Sequence, residues 1–172
     1  MTQTQPWDAA PASTRTYAWT EPAGLLPVLA TTTGADYVSG ISDGTIPAPP
    51  IASTLGFGRL HLVDGAVVLE LDPQSFHDNP IGSMHGGVIA TMLDTVAGCA
   101  VHATLPAGVG YTSLDLSVRF IRAVRPGTGT VTATGRVVHR GSRTAVAEAS
   151  VVDGSGRLLA TATSTCLVMD PS

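Results

Sequence analysis

The sequence predicts an α+β domain in which one antiparallel sheet wraps one long central helix. Three observations carry this. Residues 85–105, HGGVIATMLDTVAGCAVHATL, are apolar on nearly all sides and too long for a strand, so they read as a buried helix. Beyond Pro106, four strand-length segments are separated by glycine-rich turns. A pair of shorter strand-like segments precedes the helix.

Residues 1–23 are rich in Thr, Pro, Ala and Ser without periodicity, and are expected to form a flexible tail ahead of a single domain over residues 24–172. From Thr33 to Ser42, Thr33 and Asp36 resemble a capping box and Val38 and Ile41 share a face. A short helix is expected there, ended by Asp43 and Gly44. Pro47, Pro49 and Pro50 then predict an extended link. Strands are expected over Leu55–Leu62 and Ala66–Leu71, joined by Asp64-Gly65, followed by an irregular loop into the helix. After the helix, Ser113–Val124 alternates, with Leu114, Leu116, Val118 and Phe120 on one face and Ser113, Asp115, Ser117 and Arg119 on the other. Turns at Arg125-Pro-Gly-Thr-Gly, Arg140-Gly-Ser and Asp153-Gly-Ser-Gly lead into Thr130–His139, Arg143–Val152 and Arg157–Met169, a plan read as a meander.

A chain of 172 residues supports one core. Charged residues make up 13% against 44% hydrophobic, with mean hydropathy +0.27, which excludes a disordered chain. Since charges are about half as frequent as in an average globular protein, part of the apolar surface is expected to be buried against another copy. Net charge −4 argues against a nucleic-acid binder. All 9 basic residues are arginine, and Arg119, Arg122, Arg125, Arg136, Arg140 and Arg143 crowd one stretch. The N-terminus lacks a secretory pattern, and Thr91, Asp94 and Thr95 interrupt the longest apolar run, so a cytoplasmic protein without a membrane span is expected. Cys99 and Cys166 lack metal-ligand spacing and read as buried small hydrophobes.

Gly86 and Gly87 fall at the first turn of the buried helix, where free N–H groups and the positive end of the dipole can polarise a carbonyl oxygen, as an oxyanion hole does. Asp94 is the lone carboxylate within that helix. It needs a partner, a wet cavity or a raised pKa, and a cap or an arginine pair competes with a catalytic role. Eight positions separate Gly86 from Asp94, about 12 Å along a helix. One reacting centre cannot touch both on one helix, so joint action requires Asp94 from a second subunit.

The run NPIGSMHGGVIATMLDTVAGCA, with YTSLDLSVRFIRAVRPG and the closing hairpins, resembles hotdog-fold acyl-CoA thioesterases of the phenylacetic-acid-degradation (PaaI-like) and 4-hydroxybenzoyl-CoA thioesterase group. The resemblance spans roughly residues 33–169. It implies a hotdog fold, an acyl-CoA substrate with either an aromatic acyl group of the phenylacetyl or hydroxybenzoyl type or a medium-length chain, no cofactor beyond the coenzyme A that the substrate carries, and a homodimer or dimer of dimers. It further implies that Gly86, beside Gly87, donates its N–H to the thioester carbonyl, and that Asp94 of the partner acts as general base or nucleophile. Asn79 would orient the thioester and His85 would support the same loop or the carbonyl. Ser113, with Thr112 as the alternative, would hold the hydrolytic water. Members with Glu in place of Asp94 carry a Thr one turn later, where this chain has Gly98. Arg125, Arg140, Gly141 and Arg143 lie where similar proteins bind nucleotide phosphates. Each residue also has a plainer reading: Asn79 as a turn residue, His85 as a helix cap, Ser113 as a solvent-facing hydroxyl, the arginines as surface charges. An acyl-thioester dehydratase or hydratase, or a non-catalytic acyl-CoA sensor, would share the fold.

Overall fold

A computed structural model of the chain describes residues 11–169. It contains helices α1 (Leu26–Thr31), α2 (Gly34–Asp43), α3 (Pro50–Leu55) and α4 (Gly86–His102). The strands are β1 (Leu60–Val63), β2 (Ala66–Leu71), β3 (Gly110–Phe120), β4 (Val131–Arg140), β5 (Thr144–Asp153) and β6 (Leu158–Met169). The strands form one antiparallel sheet in the order β1-β2-β4-β5-β6-β3. The buried helix α4 packs on it through Met92, Leu93, Val96 and Val101, which meet Leu69, Leu71, Val131 and Val151. This is the sheet-around-helix plan that the periodicity predicts.

Helix α2 begins as expected, with Thr33 Oγ1 accepting the Asp36 N–H, and ends at the left-handed Gly44. Helices α1 and α3 are additions. Each has a proline in its first turn, a position that costs no helical hydrogen bond, so Pro50 starts a helix where an extended link was expected. Left-handed Gly56 stops α3, and the first strand shortens to Leu60–Val63. The expected tail falls partly on residues 1–10, outside the described residues. Residues 11–21 have no regular structure, but Arg15 stacks on Phe76 at 4.2 Å and donates to the Ser53 carbonyl at 2.6 Å.

The last four strands are not a simple meander. Only β4, β5 and β6 follow one another; β3 pairs with β6 at the far edge. The Arg125–Thr128 turn exists, but inside a longer crossing. Ile121 and Arg122 both donate to the Leu159 carbonyl, which ends the β3 ladder. Val124 is then buried and its carbonyl takes the Met84 N–H at 2.9 Å, which pulls the chain toward the entry of α4.

Two glycines let backbones touch. A Cβ at Gly34 would lie 1.7 Å from the His102 carbonyl oxygen, so α2 can start against the end of α4. A Cβ at Gly135 would lie 2.3 Å from the Val96 carbonyl oxygen, where β4 passes under α4. Gly135→Ala should therefore cost about 3 kcal/mol or more, because backbone cannot rotate away as a side chain can. Thermal denaturation should show a Tm lower by roughly 6–12 °C; an unchanged Tm would mean that the helix seats less tightly on the sheet.

Candidate active site

The only charged side chain in α4, Asp94, meets a strand hydroxyl. Ser113 Oγ donates to Asp94 Oδ1 at 3.0 Å. Strict alternation would have aimed Ser113 away from the helix with Asp115. A bulge between Ser113 and Asp115 changes this: Ser113 pairs with buried Cys166, Asp115 with Thr165, and Leu114 is extruded at 58% exposure. One extra residue thus turns Ser113 onto the helix face, and the expected grouping of Leu114 with Leu116 does not hold. The bulge is pinned from β6, since Thr165 donates its N–H to Asp115 Oδ1 and Ser164 its hydroxyl to the Asp115 carbonyl.

At the other end of α4, Gly86 is the first helical residue and its N–H meets no acceptor among the described residues. The Gly87 N–H, by contrast, is taken by His85 Nδ1 at 2.9 Å. His85 therefore caps the helix and leaves Gly86 as the free donor, with the Phe120 ring beside it. Asn79 serves the loop: its Oδ1 accepts from Ile81 and Ser83, and its Nδ2 donates to Ser83 Oγ. That is the turn role named above, and it holds the backbone that delivers His85 and Gly86. Gly86 and Asp94 of one chain stay about 12 Å apart along the helix.

Behind Asp94 and Ser113 opens a chamber of about 670 Å³. Its walls come from α1, α2, α3, β1 and the Val109–Ser113 backbone, and are mostly apolar: Leu29, Ile41, Ile51, Phe57, Leu60 and Leu69. Thr112 reaches it too. Burial pushes the Cys99 thiol up to about 12, with Asp94 adding to the effect and Tyr111 opposing it. It is therefore protonated at neutral pH and no nucleophile. Gly98 has a steric reason, since a Cβ there would meet Tyr111 Oη at 2.8 Å. Tyr37, His102 and Tyr111 carry no joint signal in the sequence: they come from α2, α4 and β3 and meet only where those elements pack together.

The structure does not bring the arginines to this chamber. Arg125 lies on the crossing after β3, while Arg140, Gly141 and Arg143 form the β4–β5 hairpin, with the Gly141 N–H already given to Thr144. Arg125, Arg140 and Arg143 are exposed, and the one ion pair among the described residues joins Arg157 to Asp153.

Residues 81–160 match the family described as Thioesterase superfamily. A candidate esterase of Halobacterium salinarum is 32% identical over 69% of this chain and 80% of its own length. The chain belongs to the thioesterase superfamily. As a member of it, the protein is a thioester hydrolase. Acyl-coenzyme A thioesterase 13 of Homo sapiens is 28% identical over 60% of this chain and 75% of its own. A candidate thioesterase of Ralstonia eutropha, related to phenylacetic acid degradation, superposes with TM-score 0.68 at 31% identity, over 76% of this chain and 98% of its own. The PaaI protein of E. coli shares the fold, with TM-score 0.69 at 20% identity over 80% of this chain and 97% of its own. The sheet around one helix is thus the hotdog fold. Among the described residues, no helix is long and apolar enough to cross a membrane.

Proposed function

We propose that the protein hydrolyses acyl-CoA thioesters in sites shared between two subunits, with Asp94 as general base. The observation that carries this is the Ser113–Asp94 pair at the mouth of an apolar chamber. Ser113 holds Asp94 Oδ1, Oδ2 makes no hydrogen bond among the described residues, and the Ser113 oxygen keeps a lone pair for water. Asp94 takes a proton from that water as its oxygen attacks the thioester carbon. The resulting oxyanion is held by the Gly86 N–H of the facing subunit. The C–S bond then breaks, and the proton passes to the departing thiolate, releasing acid and coenzyme A.

Support for the second subunit comes from β3. It is an edge strand of 11 residues with Leu114 and Phe120 each 58% exposed. A long uncovered edge of this kind suits pairing with a second copy, and it carries Ser113. A homodimer, or a dimer of dimers, follows. Arg140 and Arg143, with Arg125 as a further contact, are exposed and form no ion pair among the described residues, so their guanidinium groups are offered to the nucleotide phosphates of coenzyme A. On this reading the reaction needs no metal or prosthetic group, and a cytoplasmic location is part of the proposal.

Thiol release from a panel of aryl and aliphatic acyl-CoAs tests the reading. Wild type should turn over at least one class, and Ser113→Ala should lower kcat by about 10-fold or more with KM little changed, because a water-holding hydroxyl acts mainly on the chemical step. An equal rate in Ser113→Ala would remove the serine from the mechanism.

A further inference from the structure

The chamber has a polar end that hydrolysis does not use. His102, the last residue of α4, lines it at 7% exposure, between the rings of Tyr37 at 5.2 Å and Tyr111 at 5.5 Å. Its ring nitrogens make no hydrogen bond among the described residues. His77, the other buried histidine, shows what a structural one looks like: Nδ1 accepts the Gln74 N–H and Nε2 lies 2.6 Å from the Leu55 carbonyl. The Tyr37 hydroxyl is likewise unpartnered among the described residues and lines the same cavity. An apolar chamber with a few convergent polar groups is built to fix the orientation of a ligand.

We infer that His102 is a specificity-determining residue that hydrogen-bonds an oxygen far along the acyl group, so that the chamber selects a medium-length aliphatic acyl chain carrying a remote hydroxyl or oxo group. This rests on the acyl-CoA hydrolysis proposed above. Length decides for a chain over a single ring: His102 lies eight positions beyond Asp94, about 12 Å along the helix. An extended alkyl chain gains roughly 1.3 Å per C–C bond, so about eight to ten carbons reach from the thioester to the imidazole. Burial holds His102 below its usual pKa, which leaves a neutral ring with one donor and one acceptor, suited to a hydroxyl or a carbonyl. An unmet polar pair in an apolar chamber also penalises a plain chain that buries it.

The test compares decanoyl-CoA with hydroxydecanoyl-CoAs bearing the hydroxyl at carbon 3, 6 or 10, in wild type, His102→Leu and His102→Gln. Wild type should favour the remote hydroxyl by about 10-fold in kcat/KM over the plain chain, the worth of one good hydrogen bond. The preference should fall to about one in His102→Leu and return in part in His102→Gln, which keeps a donor and an acceptor. A flat profile across the wild-type series, or a preference that survives His102→Leu, overturns the inference; the wild-type series needs no variant to fold. Failure to cleave any acyl-CoA, or cleavage that is insensitive to Asp94, would overturn the hydrolytic reading instead.

Discussion

Asp94→Asn should lower kcat for acyl-CoA hydrolysis by about three orders of magnitude, the middle of the range for losing a positioned general base. The change is nearly isosteric, and an amide oxygen can still accept the Ser113 hydroxyl, so the local geometry should survive. What disappears is the basic oxygen. Tm should therefore stay within a few degrees of wild type, and KM should move little. If activity persisted, Asp94 would be an ordinary hydrogen-bonded carboxylate. If activity and Tm fell together, its role would be structural.

Gly86→Pro should lower kcat by roughly 10²- to 10³-fold, the effect of removing one oxyanion donor, whereas Gly86→Ala should stay within about 10-fold of wild type because it keeps the N–H. This site permits the comparison for a structural reason. Gly86 is the first residue of α4, where proline is tolerated, and His85 before it has ψ 133°, which a following proline favours. Either substitution adds a Cβ 3.1 Å from the outer edge of the Phe120 ring, an exposed side chain that can yield. Steric cost is thus common to both variants, and only proline deletes the donor. Equal rates for the two would mean that the Gly86 N–H does not stabilise the oxyanion.

The parts of the site legible in the sequence were those encoded locally. Two glycines opening an apolar helix, one carboxylate within it, and a histidine positioned to cap it all follow from spacing along one element. Asp94 and Ser113 were named separately, yet their contact could not be read, because it depends on a bulge that breaks the alternation of β3. The same limit applies to the fold. Thr33 and Gly44 marked α2 by local chemistry, while the placement of β3 beside β6 depends on long-range pairing and on the buried Val124. Proline misled at α3, since its fixed φ suits both an extended link and a first helical turn. His102 was silent in the sequence because its meaning comes from a cavity that α1, α2 and α3 enclose, outside the stretch that the family match covers.

The central claim is that each site draws Gly86 from one subunit and Asp94 from the other. Mixed dimers of an Asp94→Asn subunit and a Gly86→Pro subunit, isolated through two different tags, test it most directly. In a two-fold dimer one site then holds both substitutions and the other holds neither, so activity should return to about half that of wild type. If the mixed dimers stay as inactive as either parent, both groups act from the same chain and the shared site is wrong.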